Sequence, residues 1–587
     1  MLPDNIGLRP VVLHHLPLVR VIIDRLGIYR VVSDLLPPDP RSKVTDADCV
    51  TVMIMNILMG RVALYQMDSW LEHVDTDILL WEGCPLEGFS DVRLALALDH
   101  LFDQGTDEVL SAVVHSYLHS DEAPHVYSVH GDTTSLSLQG AYDIIADLDA
   151  PTVTYGYSKA HRPDLKQIIF GLNLHGSVGM PMVASMLDGN TSDHDANRRH
   201  ITQLASLVRP DDEVTFVADC KLVDKHTIGQ LLDEEFHFIS LLPDTFAQRK
   251  NLIATAHDDG HELLELSRDP GRTKADPDRV YRGTSYECSF PVQDPRVPGK
   301  EGLRTERMRF LLIESSQLAA KFDSSLEDKL QREARRFDKA VKKATKKPFS
   351  CHDDAAARRD KLLETLKLHH AQVDVVAEEV TLRRSRPGRP RKGEEPPTKS
   401  QYQLVLRELT ADTDAIEQAR LYARHFVLIT DHLDEETWSD EQVFAEYRKQ
   451  HLVENHSGFR WFKSEATVAP MFLKTPRRIA ALCLVFVLAL MVRNYLQFTL
   501  RKRLLEEDEK VPYYGRRPPT QKPTAEVVLN LFAGVQVVHV TMDEEVVERR
   551  LAHLSDAARK VLDLLDVAVE VFTRVREKPV VRVGAIP

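Results

Sequence analysis

At 587 residues the chain exceeds one ordinary domain and has room for three or four structural units. Hydrophobic residues make up 43% and charged residues 28%, a balance that excludes global disorder and fits a soluble globular protein. The formal net charge of −14 argues against a simple basic nucleic-acid coat protein, although binding follows local patches rather than totals. Cysteines 49, 84, 220, 288, 351 and 483 are scattered, which excludes a local zinc knuckle, gives no sign of a disulfide framework and fits a reducing cytoplasm. The N-terminus carries no charged-then-apolar signal pattern.

Residues 1–122 read as an all-helical domain, with apolar residues at three- and four-residue spacing in VVLHHLPLVRVIIDRLG, DADCVTVMIMNILMGR and DVRLALALDHLFDQG. It is either a DNA-end-binding module or a packing domain. In 123–250 the period changes: HVYSVHGD, SLSLQGAYD, KQIIFGLNLHG, MPMVASMLDGN and VTFVADC are short β-rich runs bounded by turn residues. Helices are expected at 193–207 and 224–233, then a strand at HFISLL, which together give a mixed sheet with helices packed on it. Residues 251–424 alternate strand candidates (VYRGTSYECSF, MRFLLIESS, QVDVVAEEVTLRR, SQYQLVLREL) with a charged helical stretch at 318–370. Residues 425–510 return to strand character in HFVLITD, then start a helix near Ser439, where Gln442 completes a capping box. The apolar run 479–492 is short for a bilayer span, which takes roughly 20 residues, and reads as a buried core helix. Residues 511–587 read as a Pro-rich, then amphipathic, helical tail.

Three carboxylates stand out. Asp132 and Asp219 each follow an apolar strand-like run, HVYSV and VTFVA, and are expected at strand ends. Glu454 lies in a long helical pattern that shares one face with Tyr447 and Gln450. Singly, each has an ordinary explanation as a turn cap or a solvated helix residue. Together they are what a two-metal nuclease needs: two magnesium or manganese ions, roughly 3.5–4 Å apart, that clamp the attacking and leaving oxygens of a phosphodiester. Acids beside buried apolar chain are costly unless cations or hydrogen bonds offset them.

The segments around these acids resemble the bacterial DDE insertion-sequence transposases, in the group whose third acid sits in a Y-x2-R-x3-E-x6-K signature. HGDTTSLSLQGAYD and residues 156–193, beginning GYSKAHRPDLKQ, resemble the first-Asp region. VADCKLVDKHTIGQL resembles the second, and ENHSGFRWFKSEATVAPMFLKTPRRIAALCLVFVLALMV the Glu region. The resemblance implies an α/β fold: an RNase H-like mixed sheet flanked by helices, interrupted between Asp219 and Glu454 by a β-rich and helical insertion. It implies a cytoplasmic, nucleoid-associated DNA transposase that acts as a homodimer on terminal inverted repeats and target DNA, with no membrane partner. Asp132, Asp219 and Glu454 carry over as catalytic metal ligands, and Tyr447 as a residue near DNA.

The chain departs from the signature at two places. Gln450 stands at the arginine position, with Arg448 and Lys449 nearby, and Trp461 at the lysine position, with Arg460 beside it and Lys463 two residues on. In the GYSK segment Lys159, His161, Arg162 and Lys166 either lie beside the phosphodiester or form a solvated turn. Arg389 in RPGRPRKG belongs either to an AT-hook-like element or to a flexible basic linker. Asn190 and Asp193 read as caps of the following helix, and Trp461 as a core residue. Two rival functions stay open: an RNase H-like nuclease without strand transfer, and a non-catalytic DNA-binding protein whose acids are structural.

Overall fold

The computed structural model describes residues 6–60, 62–120, 123–138, 149–159, 162–209, 211–271, 276–297, 299–382, 398–454, 458–463, 473, 475–513 and 517–579. Its first element departs from an all-helical N-terminus: Ile6–Val12 is a strand, β1, whose partner lies near the other end of the chain. Helices follow as expected: α1 (Leu16–Arg25), α2 (Ile28–Leu35), α3 (Asp46–Met59), α4 (Met67–Leu71), α5 (Thr76–Leu79), α6 (Asp91–Gln104) and α7 (Thr106–Leu118). Thr45 starts α3 through a reciprocal capping box with Asp48, and Gly60 closes it in the left-handed conformation.

The chain then builds β2 (Ser128–Leu138), β3 (Lys166–His175) and β4 (Pro181–Leu187) as an antiparallel meander. Helix α8 (Asp193–Ala205), capped by Ser192, leads to β5 (Thr215–Ala218), which runs parallel to β2. Helix α9 (Lys225–Asp233), capped by Asp224, leads to β6 (His237–Leu241), parallel to β5.

Next come α10 (Ala247–Asp258), β7 (Leu264–Asp269), β8 (Arg279–Gln293), β9 (Leu303–Ser315), α11 (Ser316–Thr345), α12 (His352–Leu363), β10 (His369–Thr381), β11 (Thr398–Ala411), α13 (Thr413–Arg424) and β12 (His425–Thr430). The strands expected between the second Asp and the Glu divide between two sheets. Strands β7, β8 and β9 join the central sheet through β12, whereas β10 and β11 form a separate hairpin that packs with α11 and α12 on its own small core around Phe337, Val341 and Val373. Among the described residues the central sheet is nine-stranded and mixed, in the order β4-β3-β2-β5-β6-β12-β9-β8-β7, with helices packed on it.

The chain closes with α14 (Asp440–Arg448), α15 (His451–Glu454), α16 (Phe459–Lys463), α17 (Pro476–Glu506), α18 (Ala525–Asn530), β13 (Gln536–Met542), β14 (Glu545–His553) and α19 (Asp556–Leu564). The apolar run 479–492 is part of the 31-residue α17, long and apolar enough by composition to cross a bilayer. It is instead buried inside the protein against α3, α6, α7 and β4, in one core shared with the N-terminal helices and the sheet. Each fully buried Leu, Val or Phe there contributes about 1.5–3 kcal/mol. The C-terminal tail is only partly helical, since β13 pairs with both β1 and β14.

Candidate active site

Strand β2 is buried along almost its whole length, yet its sequence is SVHGDTTSLSL, with Ser128, His130, Thr133, Thr134 and Ser135 all buried. Buried polar groups need partners, and theirs define the site. Asp132 is not at a strand end: it sits within β2, because SVHGD and TTSLSL form one strand that continues along β3 after β5 has ended. Asp219 does stand just past the end of β5. Gly131 and Ala218 pair in the parallel β2–β5 register, so the next residues, Asp132 and Asp219, are neighbours across strands about 5 Å apart.

The two carboxyls are held unlike ordinary surface acids. Asp132 is raised to about 6, chiefly by burial and further by the charges of Asp219 and Glu454, against the pull of Lys159. Burial also raises Asp219, against a backbone hydrogen bond of 2.9 Å from the Lys221 N–H. Such a pair favours a nearby cation.

Lys159 supplies one. Its ammonium donates to the Thr133 carbonyl at 2.9 Å and to Thr133 Oγ1 at 2.7 Å, and lies 3.2 Å from Asp193 Oδ1 and 3.7 Å from Asp132 Oδ1. The Thr133 hydroxyl donates to Asp193. Asp193 therefore does more than open α8: Ser192 is the cap, and Asp193 turns its carboxylate into the site. The GYSK segment is pinned where it enters. The Lys159 N–H donates to Ser135 Oγ at 3.1 Å, and the buried Gln167 amide donates to the carbonyls of Tyr157 and Gly189 at 3.1 and 2.8 Å.

Glu454 comes from the far end of the chain. Ser439 and Gln442 form the expected capping box of α14, but that helix stops at Arg448. Gln450 N–H bonds back to Tyr447 and Val453 N–H to Gln450, three residues each, so the chain tightens before the short α15 that ends in Glu454. The long continuous helix expected there is thus two helices joined by a tight turn. Helix α15 packs on β2 and β3. The half-buried Tyr447 packs against the apolar cluster of Val217, Ile239 and Phe444, and its hydroxyl is raised by burial and further by the charges of Asp219, Cys220 and Glu454.

In kind, these donors suit a hard divalent cation: carboxylates, two of them raised by burial and raised further by acidic neighbours. Among the described residues no group of three or more His, Cys, Asp or Glu side chains is drawn close enough to hold a metal ion. The acids are gathered but not closed into one ligand shell, and Glu454 is exposed to solvent.

Residues 10–115 match a family described as a domain of unknown function (DUF4277). No curated protein matches the chain. Among solved structures, the chain matches a cryo-EM structure of a piggyBac transposase synaptic complex with hairpin DNA at 10% identity and a TM-score of 0.25. That match covers 52% of this chain and 60% of the other, so the chain spans less than two thirds of that protein.

The remaining sequence candidates scatter. Arg448 turns away from the acids, pairing with Asp269 at 2.5 Å and Ser267 at 3.0 Å, its guanidinium over the Tyr281 ring. Gln450 is half-buried in the turn between α14 and α15. Arg162 is exposed and makes a two-pronged pair with Asp164 at 2.9 and 2.7 Å. Lys166 opens β3, whereas Asp132 faces Leu172 on that strand; six residues of strand put them roughly 20 Å apart. The Lys463 side chain, His161 and Arg389 lie outside the described residues. Trp461 is in the core.

Sequence reasoning missed Glu446. Its carboxylate accepts from Ser128 Oγ at 2.6 Å, from His130 Nε2 at 2.9 Å, and pairs with Lys449 Nζ at 2.6 Å. Ser128, His130 and Asp132 alternate along β2 and so share a face. That polar stripe in a buried strand was the available signal.

Proposed function

We propose that the chain is a metal-dependent DNA transposase of the DDE type, which cuts element ends and transfers them into target DNA. The observation that carries this reading is the β2–β5 register, which sets Asp132 and Asp219 side by side with Glu454 and Tyr447 brought in by α14 and α15. The strand order β4-β3-β2-β5-β6, an antiparallel meander followed by two parallel strands with α8 and α9 as connections, supports an RNase H-like core.

Asp132 and Asp219, with Glu454, would hold two magnesium or manganese ions. When bound, these supply a strong nucleophile from water or a 3′-hydroxyl and stabilise the leaving 3′ oxygen. The protein's own residues do the rest. The parallel strands hold Asp132 and Asp219 rigidly in the sheet, and the exposed Glu454 on its one-turn helix is the member free to move in. Tyr447 lines the approach, and Lys159 presents a positive charge where the phosphate arrives. DNA is the partner, engaged by a homodimer of this chain.

The test is a cleavage and joining assay on the inverted repeats that bracket the reading frame. Magnesium-dependent cutting followed by joining of a pre-cut end supports transposition. Cutting without any joined product identifies a nuclease, and DNA binding without cutting identifies a binding protein.

A further inference from the structure

The geometry points to Lys159 as an internal counter-cation of this site, seated by Thr133 and Asp193, which yields Asp132 to an incoming divalent cation and then serves the DNA phosphate. This rests on the two-cation reading above. The four contacts of the ammonium are unequal: 2.7 and 2.9 Å to Thr133, 3.2 Å to Asp193 and 3.7 Å to Asp132. The contact to Asp132 is the longest, and so the first to give way to a doubly charged competitor.

The other contacts remain when Asp132 is taken. Thr133 offers both a carbonyl and a hydroxyl, and that hydroxyl is itself oriented by donation to Asp193. The backbone of Lys159 is fixed as well, its N–H on Ser135 Oγ, so the side chain pivots from an anchored point on β2. An ammonium released from Asp132 but still tethered by Thr133 and Asp193 stays beside the carboxylates, and its longest remaining contact, 3.2 Å to Asp193, is the one a further acceptor can share. A non-bridging phosphate oxygen is the acceptor that DNA supplies there. Lys159 and Asp193 are thus positioning residues that balance charge before and after the cation binds. No bond is made or broken.

The experiment is Mn2+ binding to the full chain without DNA, followed by electron paramagnetic resonance. The proteins are wild type, Lys159→Met, Lys159→Gln, Asp193→Asn, the Lys159→Met/Asp193→Asn double variant and Asp132→Asn, with thermal melts to confirm folding. Removing the competing ammonium in Lys159→Met or Lys159→Gln tightens Mn2+ binding by about five- to tenfold. Asp193→Asn weakens binding, because Lys159 then leans on Asp132. The double variant regains at least wild-type affinity, which loss of a direct Asp193–metal bond would not allow. Unchanged or weaker Mn2+ binding in both Lys159 variants overturns the inference, as does a double variant as weak as Asp193→Asn. If wild type binds no Mn2+, or Asp132→Asn binds it equally well, the two-cation reading itself fails. Cleavage by Lys159→Met falls despite its tighter Mn2+; cleavage at the wild-type rate removes the phosphate role.

Discussion

Glu446 on α14 accepts a 2.9 Å hydrogen bond from His130 Nε2 on β2, across 316 residues of sequence, and thereby ties the helix that precedes Glu454 to the strand that carries Asp132. Both groups are buried, and Lys449 balances the carboxylate charge at 2.6 Å. Burial holds His130 below its ordinary range, so it donates as a neutral imidazole. Glu446→Ala leaves His130 and Ser128 without their acceptor and is expected to destabilise the protein by roughly 3 kcal/mol. Urea denaturation measures this. Because α14 and α15 then lose their hold on β2, DNA cleavage should fall further than DNA binding. A variant as stable as wild type would remove the coupling.

The same group sets an acid limit. Burial pushes Glu446 upward, but hydrogen bonds from His130, Lys449 and Ser128 outweigh it and hold the carboxyl at about 2. A carboxyl lower in the folded than in the unfolded state adds stability that is fully present above the unfolded value, near 4.3, and is lost as pH falls towards 2. The window is therefore about pH 5 to 2, and the contribution at stake about 3 kcal/mol. Buried neutral His130 acts in the same direction, because acid protonates it more readily once unfolded. Urea midpoints at pH 7, 5 and 3 should show the gap between wild type and Glu446→Gln closing with acid; a gap independent of pH would contradict the assignment.

Asp219→Asn and Glu454→Gln keep size and shape while removing charge at the gathered acids. Each is expected to lower cleavage of cognate ends by more than about a hundredfold, in line with the loss of one group that stabilises charge in the transition state. DNA binding should stay close to wild type, since neither side chain is needed to hold the sheet. Gel-shift and cleavage assays on one substrate separate the two effects, and joint loss of binding would mean that the acids maintain the fold.

Gly156 and Gly189 bring the GYSK segment and the loop before α8 into backbone contact. A Cβ on Gly189 would meet the carbonyls of Gln167 and Thr154, and one on Gly156 would meet the Gly189 carbonyl. Neither obstacle is a side chain that can turn aside. Gly189→Ala is therefore expected to cost about 1–3 kcal/mol and to disturb the Gln167 bond that pins Tyr157, two residues before Lys159. A thermal melt and a cleavage assay check both; a wild-type melt would show that the loop gives way.

Much of the framework could be read before the structure, and the failures have identifiable causes. The run VTFVAD gave β5 and the place of Asp219, and Ser439 with Gln442 gave the start of α14, because both signals are local. Asp132 was misplaced at a strand end because Gly131 and the Thr/Ser run hide a strand whose polar side chains are satisfied by Asp193, Lys159 and Glu446, all distant in sequence. Asp193 read as a cap for the same reason: its partners are invisible until β2 and α8 pack. Strands β1, β13 and β14 escaped because β1 finds its partner at the opposite end of the chain, and the hairpin lacks the usual turn residues.

That hairpin offers a change of opposite sign. Met542 and Glu545 are paired, leaving Asp543 and Glu544 as a two-residue turn with φ of 52° and 70°. Positive φ at both central residues is the type I′ turn, which favours Asn-Gly and strains an L side chain, Glu more than Asp. The sheet it closes matters, since His539 and Arg549 reach Asp75 at 2.5 and 2.8 Å and seat it on the N-terminal helices. Asp543→Asn with Glu544→Gly should relieve the strain, offset in part by the freedom glycine adds to the unfolded chain, for a net gain of about 0.5–1 kcal/mol. Amide hydrogen exchange in β13 and β14 should slow correspondingly. Faster exchange would mean that the Glu544 side chain contributes a contact worth more than the strain it bears.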